Sequence, residues 1–519
     1  MSSTSSRTAL TDRGSEATAQ AILQRSAWAA RAYADFDAAA VNRIVGHVVD
    51  VAESKAGHYA EWAVRETGFG IVEHKRIKNI ACSRGLLDAY AADDFVTHRV
   101  RPGAKIVELP RPAGVILALT PSTNPVSSVY FKTILALMTR NTIVICPHPR
   151  ARECCIDAAH ALAEAAVAAG APDGVVQVIE HPSIPLLNTL MSDERTSVIL
   201  ATGGGDMVRS AYRSGNPALG VGPGNVPVLV DRTADMAAAA ERIIDSKSFD
   251  NSILCTNESV LIAEDVVSDD LLSQLRRHGA HILAPDESDR LRAILFPDNH
   301  FDAQYVGRSA VDIAASAGLR VDPATKVLVV PFDLILPEEP LAHEKLCPVL
   351  GYTTVGTADD GISAARSVLR ITGAGHSAAI HSNDAETVFR FAGAMPVYRV
   401  SVNVGNSLGG AGFHTNLAPT MTIGTGFFGR SSLGENLQPA HLVHWSRIAY
   451  NADSAVTFPE FDRLGPARPV AGSAPPYPVP SNDAGEIPLA GNTTDRSDAE
   501  LRAELRRIIL EELTDMMRS

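Results

Sequence analysis

Cys255 stands in the segment SFDNSILCTNES, between the helix-like stretch DMAAAAERIIDSKSF and the β-branched run SVLIAE. A thiol in a short connection between two regular elements is placed to act as a nucleophile. A thiol inside an element is more often a small buried apolar group. Placement leaves both readings open for Cys255. It does set Cys255 apart from Cys146, which ends a strand-like run, and from Cys154 and Cys155 in the alanine-rich stretch 150–169; those three read as core. With Cys82 and Cys347 the cysteines number six and form no CxxC pair, so neither a metal site nor a disulfide framework is expected.

Three polar or glycine-rich strings also sit where chemistry is feasible. In ALTPSTNPVSS a strand-like run ends and a helix begins. Asn124 followed by Pro125 forms an N-cap and N1 pair, so helix capping accounts for the residue types. An amide at the carboxyl end of a strand can equally donate a hydrogen bond to a developing oxyanion. The string ATGGGDMVRSA puts three glycines between a strand and a helix, which suits the close approach of dinucleotide phosphates or, as well, a tight turn. GVGPGN, residues 220–225, holds a GxGxG string but runs into the strand-like VPVLV, so it fails as a dinucleotide fingerprint.

These strings must be held by a two-domain α/β scaffold. A chain of 519 residues, 45% of them hydrophobic, fills at least two domain cores. Val41, Ile44, Val45, Val48, Val49 and Ala52 recur at helical spacing and predict a core-facing stripe. Around HRVRPGAKIVEL, residues 98–109, two strand-like runs flank Pro102-Gly103 and predict a projecting hairpin. From Gly114 to Asp231 the runs GVILAL, TIVIC, VVQVI and SVILAT alternate with helical stretches, as in βαβ units around a buried parallel sheet. Ligands in such sheets bind beyond the carboxyl ends of strands, which directs attention to the loops after Leu119, Cys146 and Ala201. A second α/β region with SVLIAE, KVLVVPF and RVSVNV follows to about residue 425.

The two ends read differently from the middle. Residues 1–15, rich in Ser and Thr, are expected to lack regular structure. Residues 464–496 are rich in proline and glycine and read as an extended linker. Beyond it, Leu501, Leu505, Ile508, Ile509, Leu513, Met516 and Met517 share one face of an amphipathic helix over 497–519. A formal net charge of -13, from 46 basic and 59 acidic residues, argues against a nucleic-acid partner. The opening MSSTSSRTALTDRGSEATAQ lacks the apolar run of a secretory signal, and no stretch of about 18 apolar residues is present, so a cytoplasmic protein without membrane attachment is expected.

PSTNP, TRNTIVICPHPRA, ATGGGDMV, GNPALGVGPGNVP, FDNSILCTNES, HEKLCPVLGY and LAPTMTIGTGFFGRSS occur in one order and spacing up to about Tyr450. In them the chain resembles the CoA-acylating branch of the aldehyde dehydrogenase superfamily, like the aldehyde dehydrogenase half of bifunctional aldehyde-alcohol dehydrogenases. The resemblance implies a Rossmann-type NAD-binding domain over 16–228, a catalytic domain over 229–430 and a return to the NAD-binding and oligomerisation region over 431–463. It implies Cys255 as nucleophile, with Asn124 and the Cys255 backbone N–H as the oxyanion hole. It implies cofactor contacts at Thr120, Ser122, Thr123, His148, Thr202, Gly203, Gly204, Gly222 and Glu344. The expected reaction is oxidation of a short-chain aldehyde to acyl-CoA with NAD.

Two departures from the hydrolytic members bear on this. Val221 stands where those enzymes carry a glutamate base in LELGGKSP, so no carboxylate is expected there to activate water. Cys146-Pro147-His148-Pro149 replaces their KPxE ribose motif, which leaves NAD against NADP open. The alternatives are a hydrolytic aldehyde dehydrogenase giving the free acid and a catalytically idle assembly protein. By architecture the tail resembles encapsulation peptides of bacterial microcompartments. A shell protein is thus one expected partner of residues 497–519 and this enzyme's own surface the other, and a homodimer or homotetramer is expected.

Overall fold

The computed structural model describes residues 3–461, 464–465 and 474–478. Five helices come first: Ser3–Tyr33, Ala38–Ser54, Ala56–Thr67, Val72–Ala81 and Arg84–Ala89. The first begins inside the stretch expected to lack structure, because no proline interrupts it and its second half is anchored by buried Leu23, Ala29 and Tyr33. The second is capped by Asp37, whose carboxylate accepts the Ala40 N–H at 2.8 Å, and its buried residues are the six of the predicted stripe. That stripe packs on the helices Pro125–Met138 and Arg152–Ala168. Two short strands, β1 (Arg99–Arg101) and β2 (Ile106–Pro112), then form an antiparallel hairpin around a turn at Pro102–Ala104.

The first parallel sheet contains β3 (Val115–Leu119), β4 (Thr142–Cys146), β5 (Val176–Val178), β6 (Thr196–Ala201) and β7 (Ala218–Gly220), in the order β5-β4-β3-β6-β7. The chain runs outward from β3 to β5, then returns to lay β6 on the other side of β3. Between β3 and β6 the connections therefore leave in opposite directions, opening a crevice beyond the strand ends. The loops at that crevice are Thr120–Asn124 and Thr202–Gly204. All fourteen residues of the helix Pro125–Met138 are buried, Lys132 among them. Its ammonium donates to the carbonyls of Leu119 at 2.6 Å and Leu200 at 3.0 Å, tying the two strands together at the crevice.

The second parallel sheet holds β8 (Val226–Val230), β9 (Glu258–Glu264), β10 (Ala280–Ile282), β11 (Val327–Pro331), β12 (Val349–Val355), β13 (Ala378–His381) and β14 (Val400–Val402). Its order is β10-β11-β12-β9-β8-β13-β14. β8 belongs wholly to this sheet, so the divide between the sheets falls between Gly220 and Val226, a few residues before the expected boundary at 228/229. Continuous burial along β3, β4, β8 and β9 explains why these strands read as unbroken apolar runs. Last, β15 (Val443–Ala449) pairs antiparallel with β2, from Val443↔Pro112 to Ala449↔Ile106, returning the chain to the hairpin.

Most of the expected linker and all of the expected helix 497–519 lie outside the described residues. Within 474–478, Tyr477 sets its ring edge-on against Trp28 of the first helix, with centroids 5.3 Å apart. That part of the linker is therefore docked. No helix among the described residues is long and apolar enough to cross a membrane.

Candidate active site

Cys255 lies ahead of β9, after a turn of 3-10 helix at Phe249–Ser252. Asp250, Asn251 and Ser252 all have positive φ, near +50° to +63°, a conformation that costs energy for residues with a Cβ and persists only where neighbours impose it. The neighbours are visible. The Asp250 carboxylate accepts from Ile71 N at 2.6 Å, its own N–H donates to His74 Nδ1 at 2.7 Å, and Asn251 donates to the Gly307 carbonyl at 2.9 Å. On the far side of the thiol, Thr256 Oγ1 donates to the Ser407 carbonyl at 2.7 Å, and Asn406 Nδ2 donates to the Thr256 carbonyl at 2.7 Å. The segment carrying the thiol is thus fixed from both sides.

Of the six cysteines, Cys255 alone is partly exposed; the other five are buried. It opens into a cavity of about 290 Å³. Ser122, Thr123 and Asn124 from the loop after β3 line the same cavity, as do Thr202, Gly203 and Gly204 from the loop after β6. His148, Val221, Gly222 and Glu344 join them. Residues scattered over more than two hundred positions thus meet around one sulfur. Thr120 is the exception among the expected site residues. It is buried behind this lining, with its N–H bound to the Cys146 carbonyl at 3.1 Å.

Asn124 occupies the N-cap position but makes no capping hydrogen bond. Its Oδ1 accepts from Lys78 Nζ at 2.5 Å, and its Nδ2 donates to Thr123 Oγ1 at 3.3 Å. Capping fits the residue type but not the geometry, and the side chain lines the cavity instead. Gly203 and Gly204 have open space where a Cβ would stand. Gly204 caps the helix Gly205–Arg213, and Gly205 also lines the cavity, so the start of a helix borders it, an arrangement suited to an anion.

Burial dominates the electrostatics of the site. Burial, followed by the Glu344 carboxylate, pushes the Cys255 thiol up to about 12, against the pull of its own backbone N–H and the Arg399 guanidinium. Burial likewise pushes Glu344 up to about 8, opposed by the Gly224 N–H and by Lys247 and Lys345. Glu344 Oε1 is buried without a hydrogen-bond partner among the described residues, a polar atom held ready for a ligand. Glu344 is the only carboxyl side chain lining the cavity among the described residues, and the position at which a glutamate base would stand in LELGGKSP is occupied by the apolar Val221.

Sequence reading missed four contributors. Lys78 bonds to Asn124 and pairs with Asp250, Arg399 supplies positive charge toward the thiol, and Gly224 lets the 220–225 segment pass against Cys255. The signal for Lys78 was slight: Lys75 and Lys78 share a face of the helix Val72–Ala81, yet the acid they pair with lies more than 170 positions away. In GVGPGN, a Cβ on Gly220 would stand 2.6 Å from Val208 and one on Gly224 2.0 Å from the Cys255 carbonyl oxygen, a steric need that a search for a phosphate fingerprint does not detect.

The family model described as "Aldehyde dehydrogenase family" matches residues 2–414. An aldehyde-alcohol dehydrogenase of Clostridium acetobutylicum is 37% identical over 406 residues, covering 77% of this chain and 47% of that protein. The chain therefore spans about half the length of that relative. The crystal structure of an acetylating aldehyde dehydrogenase from Geobacillus thermoglucosidasius superposes with a TM-score of 0.83 at 33% identity, covering 86% of this chain and 99% of that one. A propionaldehyde dehydrogenase of Rhodopseudomonas palustris, solved with bound CoA and an acylated cysteine, gives a TM-score of 0.75 at 28% identity, covering 83% and 97%. With its two parallel sheets, its single accessible thiol and a family match over most of its length, this chain belongs to the aldehyde dehydrogenase family.

Proposed function

We propose that this chain oxidises a short-chain aldehyde and transfers the acyl group to coenzyme A through a thioester on Cys255. One observation carries the reading: the accessible thiol shares its cavity with the amide of Asn124, while Val221 leaves no carboxylate at the place where hydrolytic members activate water.

Cys255 adds as thiolate to the aldehyde carbon, forming a C–S bond and placing negative charge on oxygen. Asn124 Nδ2 and the Cys255 N–H donate to that oxygen, in a site where burial makes each donor count more than in water. A nicotinamide cofactor, when bound, supplies the acceptor for the hydride that the carbon loses as the thioester forms. The residues fit such a group: open space at Gly203 and Gly204 beside a helix N-terminus receives phosphates, and the unpartnered Glu344 Oε1 accepts from a ribose hydroxyl. CoA then attacks the thioester carbon as thiolate, its proton given up to solvent, and the carbon's bond to Cys255 breaks with Cys255 leaving as thiolate. Cys146 and Pro149 stand where other members hold the adenosine ribose with a lysine and a glutamate, with His148 between them lining the cavity, so paired assays decide between NAD and NADP.

The test is an assay with aldehyde and NAD, with and without CoA. Sustained NADH formation only with CoA supports acyl transfer. Equal steady-state rates without CoA overturn it in favour of a hydrolytic enzyme, and no NADH signal across short aldehydes favours an assembly role.

Assembly is proposed at two places. The exposed outer face of β15, the edge strand beside β2, is offered to a second copy in a dimer or tetramer. The tail 497–519 is proposed to dock on a microcompartment shell. Its deletion then leaves turnover intact and releases the enzyme from co-sedimentation with shells; unchanged co-sedimentation rejects that role.

A further inference from the structure

Two ammonium groups and one carboxylate are buried together beside the cavity. Lys75 lies 3.1 Å from Asp250 Oδ2, and Lys78 forms a closer ion pair with the same oxygen; the three side chains are at most 3% exposed. Lys75 also donates to the Thr123 carbonyl at 3.2 Å. A buried ion pair needs one partner of each sign, and a surplus charge taken out of water is costly. Burial holds Lys78 down to about 8, with Asp250 opposing, and burial also lowers the neighbouring His74 from its usual value. Pairing Asp250 requires one lysine, and the structure supplies two.

The second ammonium has a separate task. Lys78 Nζ donates to Asn124 Oδ1 at 2.5 Å. An ammonium has three donors and no acceptor, so the atom it faces must be the amide oxygen. This fixes which end of the carboxamide is which, and Nδ2 is turned the other way. Without Lys78 the amide could flip and present its oxygen where a donor is needed. A donor bonded to Oδ1 also polarises the amide, strengthening its N–H groups.

We propose that Lys78, held by Asp250, is a positioning residue that sets the Asn124 amide in its donating orientation for the oxyanion. The inference rests on the oxyanion role given to Asn124 above. Asp250 links the two halves of the site. It sits in the strained turn five residues before Cys255, so one carboxylate positions both the segment bearing the nucleophile and, through Lys78, the amide that serves it.

The test is a cycle of Lys78→Met, Asn124→Ala and the double variant, read as the first-turnover rate of NADH formation and as kcat and KM for aldehyde. Lys78→Met keeps the Lys75–Asp250 pair and its neutrality, so the fold is expected to survive. Its first-turnover rate and kcat fall by roughly tenfold or more, with KM nearly unchanged, as for loss of part of an oxyanion donor. In the Asn124→Ala background the same change costs nothing further. Losses that multiply in the double variant, or a wild-type rate in Lys78→Met beside a slow Asn124→Ala, overturn the positioning role alone. A wild-type rate in Asn124→Ala overturns the oxyanion assignment with it. Should Lys78→Met fail to fold, Lys78→Leu, which likewise removes the donor and keeps the Lys75–Asp250 pair, enters the same cycle and is read in the same way.

Discussion

Gly224 passes so close to Cys255 that a Cβ on it would stand 2.0 Å from the Cys255 carbonyl oxygen and 2.9 Å from Glu344 Oε1. No real Cβ tolerates the first distance, and the obstacle is backbone, which cannot rotate away. Gly224→Ala is therefore expected to displace the nucleophile segment and lower kcat by about a hundredfold or more, since misplacement by an ångström costs that much. Circular dichroism with turnover assays checks this; an alanine variant with wild-type kcat would show that the segment is free to move.

Asn124→Ala removes a side chain that makes no helix-capping bond and lines the cavity. It is expected to lower kcat by roughly 10²- to 10³-fold, the cost of one oxyanion donor, with little effect on stability. A large fall in thermal stability with kcat preserved would return Asn124 to a structural role.

Cys255→Ala is expected to abolish turnover, whereas Cys154→Ala, changing a thiol buried in the first core, retains it. In the native enzyme with aldehyde and NAD but no CoA, acyl mass is expected on the peptide that contains residue 255. Acyl mass on any other cysteine would move the nucleophile.

The pH dependence of the thiol follows from its surroundings. Because burial and Glu344 raise Cys255 to about 12, the group is protonated at neutrality and its thiolate fraction grows as pH rises. Alkylation of Cys255 by iodoacetamide in cofactor-free enzyme is thus expected to climb about tenfold per pH unit through neutrality and into mild alkali, without levelling. A plateau near neutral pH would mean that the thiolate is stabilised in the empty site.

Ile44 is fully buried in the stripe of the second helix. Ile44→Ala is expected to cost about 2–5 kcal/mol of stability, as core truncations do, while kcat stays unchanged. Urea unfolding and steady-state kinetics separate the two effects.

The amino-acid sequence by itself determined the elements. The stripe from Val41 to Ala52, the buried runs of β3, β4 and β9 and the hairpin around Pro102 all follow from periodicity and turn residues, which depend on near neighbours alone. It also marked Cys255, since five other thiols fell within elements or without context. The tertiary structure alone decided what surrounds that thiol. Whether Asn124 caps a helix or faces a cavity depends on Lys78, and Lys78 depends on Asp250, far away in the chain. The reason is physical: a buried charge is tolerable only beside its partner, and a glycine is obligatory only beside the backbone it must clear. Both are relations between distant segments, and folding is what brings those segments together.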